Sequence, residues 1–285
     1  NLDVIAEFAD GTFTVIYLDP PFNTGRPQRR QATTNVRLDV AAPDPVLAPR
    51  PTSVSPPSRT QIRGFKGQLY ERIRGDLMSY DDSFDDYWSF LEPRLAEAWR
   101  LLADDGTLYL HLDYREAHYA KVLLDALFGR ECFLNEIIWA YDYGGRRRDR
   151  WPAKHDVILV YARTIGRHVF NRDEIDRLPY MAPKLVTPEK AARGKLPTDV
   201  WWQTIVSPTG KEKTGYPTQK PIAILERIVR ASAPAGGLVC DFFAGSGTTG
   251  AACLRVGRRF LLVDANADAI AVMRRRLGAD GIRYV

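Results

Sequence analysis

The chain has 285 residues, with 40 Lys and Arg against 35 Asp and Glu for a formal net charge of +5, a balance that permits a polyanionic partner without requiring one. Hydrophobic residues at 45% and charged residues at 26% exclude a largely disordered chain, and the length supports one large domain with insertions. No apolar run is long enough to span a bilayer, and three scattered cysteines, Cys132, Cys240 and Cys253, with no His cluster beside them, argue against a disulfide framework or a metal site and fit a reducing cytoplasm.

The opening Asn1-Leu2-Asp3-Val4-Ile5 lacks the basic, apolar and small-residue series of a signal peptide. Phe13-Thr14-Val15-Ile16-Tyr17-Leu18 is a β-branched and aromatic run that stops at Asp19-Pro20-Pro21, which predicts a buried strand ending in a rigid turn. From Arg26 to about Gly75 apolar periodicity is lost and prolines cluster (Pro43, Pro45, Pro49, Pro51, Pro56, Pro57), so residues 26–75 read as a mobile or extended insert. Trp88, Leu91, Leu95, Ala98, Leu101 and Leu102 then recur at helical spacing, Asp105-Gly106 ends that helix, and Thr107 to Leu112 is the next strand. A helix from about Arg115 to Leu127 precedes two strands, Glu136 to Tyr141 and Val157 to Tyr161. Residues 163–215 are polar, proline-dotted and tryptophan-bearing, and read as a separate surface module. After a helix carrying Ile224, Leu225, Ile228 and Val229 come the strand Leu238 to Phe243, a glycine-rich turn, a helix to Leu254 and the strand Phe260 to Asp264. Helices alternating with buried strands predict an α/β fold with a mainly parallel sheet.

Ala244-Gly245-Ser246-Gly247-Thr248-Thr249-Gly250 lies between a strand and a helix, where glycines let backbone N–H groups approach a ligand. Asp264 ends the following strand about 20 residues on, the separation of a carboxylate that binds ribose hydroxyls. Too few residues follow Asp264 to complete a dinucleotide-binding sheet that starts at its glycine motif. The remaining strands must therefore precede it, and the sheet is circularly permuted. Asp19-Pro20-Pro21-Phe22 ends a strand on the side where open α/β sheets bind ligands, although such a tetrapeptide can also be a plain turn.

Together these motifs resemble the β class of DNA amino-methyltransferases, in which the catalytic motif precedes the cofactor motif. Asp19-Pro20-Pro21-Phe22-Asn23-Thr24-Gly25 looks like the catalytic motif, Tyr216-Pro217-Thr218-Gln219-Lys220-Pro221 like the segment entering the cofactor strand, and Asp241-Phe242-Phe243-Ala244-Gly245-Ser246-Gly247-Thr248 like the cofactor motif. The resemblance implies a Rossmann-like, circularly permuted sheet that binds S-adenosylmethionine. It divides the chain into a catalytic half (1–162), a target-recognition region (163–215) and a cofactor half (216–285). It implies methyl transfer to the amino nitrogen of a flipped base, N6 of adenine favoured over N4 of cytosine because Asp rather than Ser opens the tetrapeptide. RNA or protein glutamine as acceptor, and an inactive DNA-binding subunit, remain competing readings. Asp19 and the Pro20 carbonyl would accept the two N–H groups, Pro21 would stiffen the turn and Phe22 would stack on the base. Asp241, Phe243, Gly245, Ser246, Gly247, Thr248 and Asp264 would hold the cofactor, with Asp241 on its amino group and Thr218 and Lys220 near its carboxylate. Transfer to carbon 5 of cytosine would need a cysteine nucleophile after proline, whereas Glu131, Val239 and Ala252 precede the three cysteines.

Double-stranded DNA is the expected partner, and the resemblance also allows a homodimer and a cognate restriction endonuclease, in a bacterial cytoplasm at the nucleoid. Asn23, Arg26, Arg29 and Arg30 follow the catalytic motif and are placed near DNA. Arg146, Arg147 and Arg148 form a basic loop that either tracks phosphates or is a solvated charge run. Trp201-Trp202 reads as a small hydrophobic core under the 163–215 module, or as a stacking platform.

Overall fold

The protein is described by a computed structural model covering residues 1–24, 28–37, 59–63, 69–80, 86–207, 209–278 and 282, with 28–37, 59–63 and 69–80 described by their backbone. In chain order the elements are α1 (Leu2–Ala6), β1 (Phe13–Leu18), β2 (Gln28–Arg37), β3 (Arg59–Arg63), β4 (Leu69–Tyr80), α2 (Tyr87–Leu101), β5 (Leu102–Leu112), α3 (Ala117–Phe128), β6 (Phe133–Ala140), β7 (His155–Ala162), α4 (Pro188–Arg193), β8 (Val200–Trp202), α5 (Ile222–Ser232), β9 (Leu238–Asp241), α6 (Thr248–Val256), β10 (Arg259–Leu262) and α7 (Ala267–Leu277). The main sheet has strand order β10-β9-β1-β5-β7-β6-β8. Its β10, β9, β1 and β5 run parallel, β7 is antiparallel to both neighbours, and β8 pairs parallel with β6.

The two-residue alternation of β1 sorts its side chains between two layers. Ile16 and Leu18 meet Leu91, Leu95, Ala120 and Leu124 from α2 and α3, whereas Val15 and Tyr17 pack with Ile224, Leu225, Ile228 and Val229 of α5 and Ala252 and Cys253 of α6. Each fully buried aliphatic side chain here contributes about 1.5–3 kcal/mol. The periodicity of α5 covers one face of the sheet and that of α2 the other. The α2 helix starts where Asp86 accepts from the Ser89 N–H at 3.1 Å, a side-chain cap. It gives way to β5 at Leu102, ahead of the Asp105-Gly106 turn expected from sequence.

The stretch read as lacking regular structure contains three strands, β2, β4 and β3, forming a separate antiparallel sheet in that order. Its central prolines, Pro43 to Pro57, lie outside the described residues. Residues 163–215 are built into the main sheet as well as lying on its surface. β8 extends the sheet edge, and Asn171 Nδ2 donates to the carbonyls of Arg230 (3.1 Å) and Ala233 (3.0 Å) at the end of α5. Trp201 is buried in the α5-side core and Trp202 is 73% exposed, so only the first forms the hydrophobic base of this region. Among the described residues no helix is long and apolar enough to cross a membrane.

Candidate functional site

Parallel pairing of β1 with β9 (Ile16 opposite Cys240) delivers Asp19 and Asp241 to the same edge of the sheet. A cavity of about 480 Å³ opens there, walled by Asp19 and Pro21 after β1, by Thr218 and Lys220 before α5, and by Asp241, Phe243, Gly245, Ser246, Thr248 and Asp264 around the glycine loop. The loop needs its glycines for geometry: Gly245 and Gly247 have φ of 50° and 72°. The Gly245 N–H donates to Asp264 Oδ2 at 2.7 Å and the Asn266 N–H to Oδ1 at 2.8 Å, so Asp264 clamps the loop and still has lone pairs facing the cavity. Gly247 is absent from the cavity wall. A Cβ on it would lie 2.8 Å from Met273 Cγ, so what it permits is the close approach of α7. Arg276 of α7 donates to Thr248 Oγ1 (2.8 Å) and the Ser246 carbonyl (3.2 Å), tying that helix to the loop from behind.

Asp241 is buried and accepts from the Phe243 N–H (3.0 Å) and Thr249 Oγ1 (2.6 Å). Burial, reinforced by the negative charges of Asp19 and Asp264, pushes its carboxyl up to about 7 against those hydrogen bonds. Burial likewise raises Asp264. Asp19, Asp241 and Asp264 face this cavity together with Lys220 and Arg94, so it offers partners to a ligand that carries both positive and negative charge.

Asp19 Oδ2 accepts from Lys220 Nζ at 2.5 Å, and Asp19 Oδ1 is buried with no hydrogen-bond partner. The Lys220 ammonium also lies 4.9 Å from the centre of the Phe22 ring. Sequence had placed Lys220 at the cofactor's carboxylate. It does line the cofactor-side cavity, but its charge is committed to Asp19, because the turn before α5 sets it between β1 and β9. Thr218 takes a φ of 57° at this turn.

Next to the first lies a second cavity of about 450 Å³. Phe22, Trp139, Tyr141, Tyr143 and Asp156 wall it, and it shares Thr218, Gln219 and Lys220 with the first. A hydrogen-bonded chain that sequence reasoning missed links the two cavities, with Tyr17 lining the first and Asp156 and Tyr141 the second. Tyr17 Oη is 2.7 Å from His111 Nδ1, His111 Nε2 is 3.3 Å from Asp156 Oδ2, and Tyr141 Oη donates to Asp156 Oδ1 at 2.9 Å. Burial works to raise the Asp156 carboxyl, but the His111 hydrogen bond and the Lys220 charge outweigh it and hold it low. Burial and the three nearby carboxylates, Asp19, Asp241 and Asp156, push the Tyr17 hydroxyl well above its ordinary value. The readable signal was a polar residue at each of two inward strand positions, His111 in β5 and Asp156 in β7.

Of the expected DNA-facing residues, Asn23 has a φ of 53° and donates to Glu116 Oε1 at 3.0 Å. Arg26 lies outside the described residues, and Arg29 and Arg30 sit on β2 opposite Ser79 and Met78, their side chains outside the described residues. Arg146, Arg147 and Arg148 are exposed. Their loop continues from Tyr143, Gly144 and Gly145, which line the second cavity, so the basic run adjoins its mouth.

Known proteins resemble this chain in sequence and in fold. Type II methyltransferase M.HpaI of Haemophilus parainfluenzae is 31% identical over 72% of this chain and 64% of its own length. DNA adenine methyltransferase YhdJ of Escherichia coli (strain K12) is 30% identical over 64% of each chain. This chain thus spans just under two thirds of the length of both relatives. The crystal structure of the M1.HpyAVI-SAM complex shares the fold, with a TM-score of 0.52 and 24% identity over 69% of this chain and 85% of the other. The N6_N4_Mtase model, described as DNA methylase, matches residues 13–275, from the strand that carries Asp19 through the glycine loop to α7. The two cavities that share Thr218, Gln219 and Lys220 thus sit in a chain that belongs to the N6_N4_Mtase family of DNA methylases.

Proposed function

We propose that this protein transfers a methyl group from S-adenosylmethionine to the N6 amino group of adenine in double-stranded DNA. The observation that carries the reading is the buried, unpartnered Asp19 Oδ1 at a cavity that carries Asp241 and Asp264 and shares Thr218, Gln219 and Lys220 with a second one walled in part by Phe22, Trp139 and Tyr141. The first cavity fits the cofactor. Asp241, Asp264 and the glycine loop would hold it, and when bound it supplies an electrophilic methyl group on a sulfonium. The second fits a flipped base, with Phe22 against its face.

An exocyclic amino nitrogen is a weak nucleophile because its lone pair is delocalised into the ring. Accepting its N–H groups at Asp19 Oδ1 and the Pro20 carbonyl favours a lone pair directed across the shared wall. Lys220 fixes the other carboxylate oxygen, so Asp19 meets the amine in one orientation, and positioning of this kind supplies much of the rate of a displacement. As the N–C bond forms, the methyl–sulfur bond breaks and its electron pair stays on sulfur. The extra proton then leaves nitrogen readily, so Asp19 need not be a strong base. Adenine is supported by Asp at the head of the motif and by the adenine specificity that YhdJ carries in its name. A homodimer and a cognate endonuclease are further partners that family membership supports.

Transfer of tritiated methyl groups to duplex DNA, RNA and protein acceptors side by side tests the reading. Label in DNA alone is expected; label confined to RNA or protein would contradict it.

A further inference from the structure

Among the described residues, three buried side-chain nitrogen or oxygen atoms lack a hydrogen-bond partner. One is Asp19 Oδ1, in the site already described. The other two, Thr107 Oγ1 and His168 Nδ1, both line a third cavity of about 510 Å³, formed where the 163–215 segment crosses the α5 face of the sheet. Thr107 is 1% exposed and stands at the start of the core stretch of β5, on the opposite end of the sheet from Asp19, because β1 and β5 run parallel and Thr107 pairs with Val15. A buried hydroxyl without a partner costs about 1–3 kcal/mol, and folded proteins rarely leave one so.

The walls specify what would complete these groups. The cavity is bounded by the rings of Tyr109, Trp201 and Phe170 and by the aliphatic side chains of Ile137 and Val160. Of its other polar side chains, Asn135 and Asp199 are exposed to solvent and the more deeply set ones are engaged. Tyr109 Oη is bonded to Ser232 Oγ at 2.7 Å, and the Arg227 guanidinium pairs with Asp176 at 2.6 Å while lying 4.8 Å from the Trp201 ring. With its cation paired and its one unpaired carboxylate, Asp199, exposed to solvent, the buried part of the cavity offers no partner to a charged ligand. The volume lies within the ordinary range for small-molecule sites, roughly 300–1,000 Å³, and those sites combine apolar walls with a few convergent polar groups.

We infer that this cavity is a second ligand site, separate from cofactor and base, which takes an uncharged planar heteroaromatic molecule carrying a hydrogen-bond donor and acceptor for Thr107 and His168. The inference does not depend on the methyl-transfer reading. Asn171, three residues beyond His168, is tied to the end of α5, so an occupant would also brace the 163–215 segment against the sheet.

The probe is benzimidazole at pH 8, an uncharged bicycle with one N–H donor and one nitrogen acceptor. It is compared with indene, which has the same outline and no nitrogen. S-adenosylhomocysteine is kept saturating so that the first cavity is filled. NMR titration is expected to show saturable shifts at the Trp201 indole and the Ser232 amide, with benzimidazole binding about tenfold more tightly than indene and losing about tenfold in Thr107→Val, the worth of one buried hydrogen bond. Should Thr107→Val fail to fold, His168→Leu provides the same comparison. Absence of saturable shifts, shifts confined to other regions, or equal affinity in wild type and variant would show a cavity filled by water only and would overturn the inference.

Discussion

The Lys220 ammonium holds Asp19 Oδ2 at 2.5 Å and leaves the buried Oδ1 without a hydrogen-bond partner. A charged hydrogen bond of this kind is worth about 1.5–3 kcal/mol. Lys220→Met is therefore expected to lower kcat by roughly 10- to 100-fold while leaving S-adenosylmethionine affinity within a factor of about three. Calorimetry and single-turnover kinetics check this, and weakened affinity with unchanged kcat would return Lys220 to the cofactor. Asp241 gives a pH-dependent expectation. Its carboxyl is raised from 3.8 to about 7 in the folded protein, so between those values the folded state binds more protons than the unfolded state, and stability falls as pH rises. Asp241→Asn removes that penalty. The difference in Tm between variant and ligand-free wild type should grow in the variant's favour from pH 5 to pH 8 and then level off; a constant difference would contradict the assignment. The motif residues Asp19 and Asp241 were legible because strand ends and glycine loops leave strong local patterns. His111, Asp156 and Arg276 were not. Their significance arises from register between strands distant in sequence, and in the case of Arg276 an ordinary basic helix end concealed it.

Elements were legible in proportion to their burial. The α5 periodicity and the β9–loop–α6–β10 run could be read directly, whereas α7 has only Ala269, Val272 and Met273 buried and ends in three arginines. Its start did carry a signal, since Asn266 Oδ1 accepts from the Asp268 N–H at 2.8 Å. β2, β3 and β4 were hidden by arginines and neighbouring prolines, and the three-residue β8 by its length. Because α7 packs against the glycine loop, Gly247→Asp is expected to abolish cofactor binding through backbone strain and collision with Met273, not through charge in the cavity. Gly247→Ala should then weaken binding severely as well, and calorimetry showing normal affinity in the Ala variant would refute the packing account. In β8, Trp201→Ala should cost about 3–5 kcal/mol in denaturant unfolding, and Trp202→Ala no more than about 0.5. Equal effects would place both tryptophans in one environment.

At the scale of the molecule, the strand order places β1, which leads to Asp19, between β9, which leads to the glycine loop, and β5, the circularly permuted form expected from the order of the two motifs. The proposed choice of base and grip on DNA depend on surfaces that sequence patterns do not specify. The arginines of residues 26–75 outnumber the acidic residues there, and we propose that this segment binds DNA phosphates without regard to sequence. Removing residues 40–58 should keep cofactor affinity, weaken DNA binding, and flatten the dependence of log K on log salt by about 0.9 for each phosphate no longer neutralised; equal slopes would exclude this role. The central claim is transfer to adenine N6 directed by Asp19. Its most direct test is mass spectrometry of nucleosides from duplex DNA treated with S-adenosylmethionine and either wild type or Asp19→Ala. N6-methyladenine with the wild type and no methylated base with the variant is the expected result, whereas N4-methylcytosine alone, or undiminished methylation by Asp19→Ala, would contradict it.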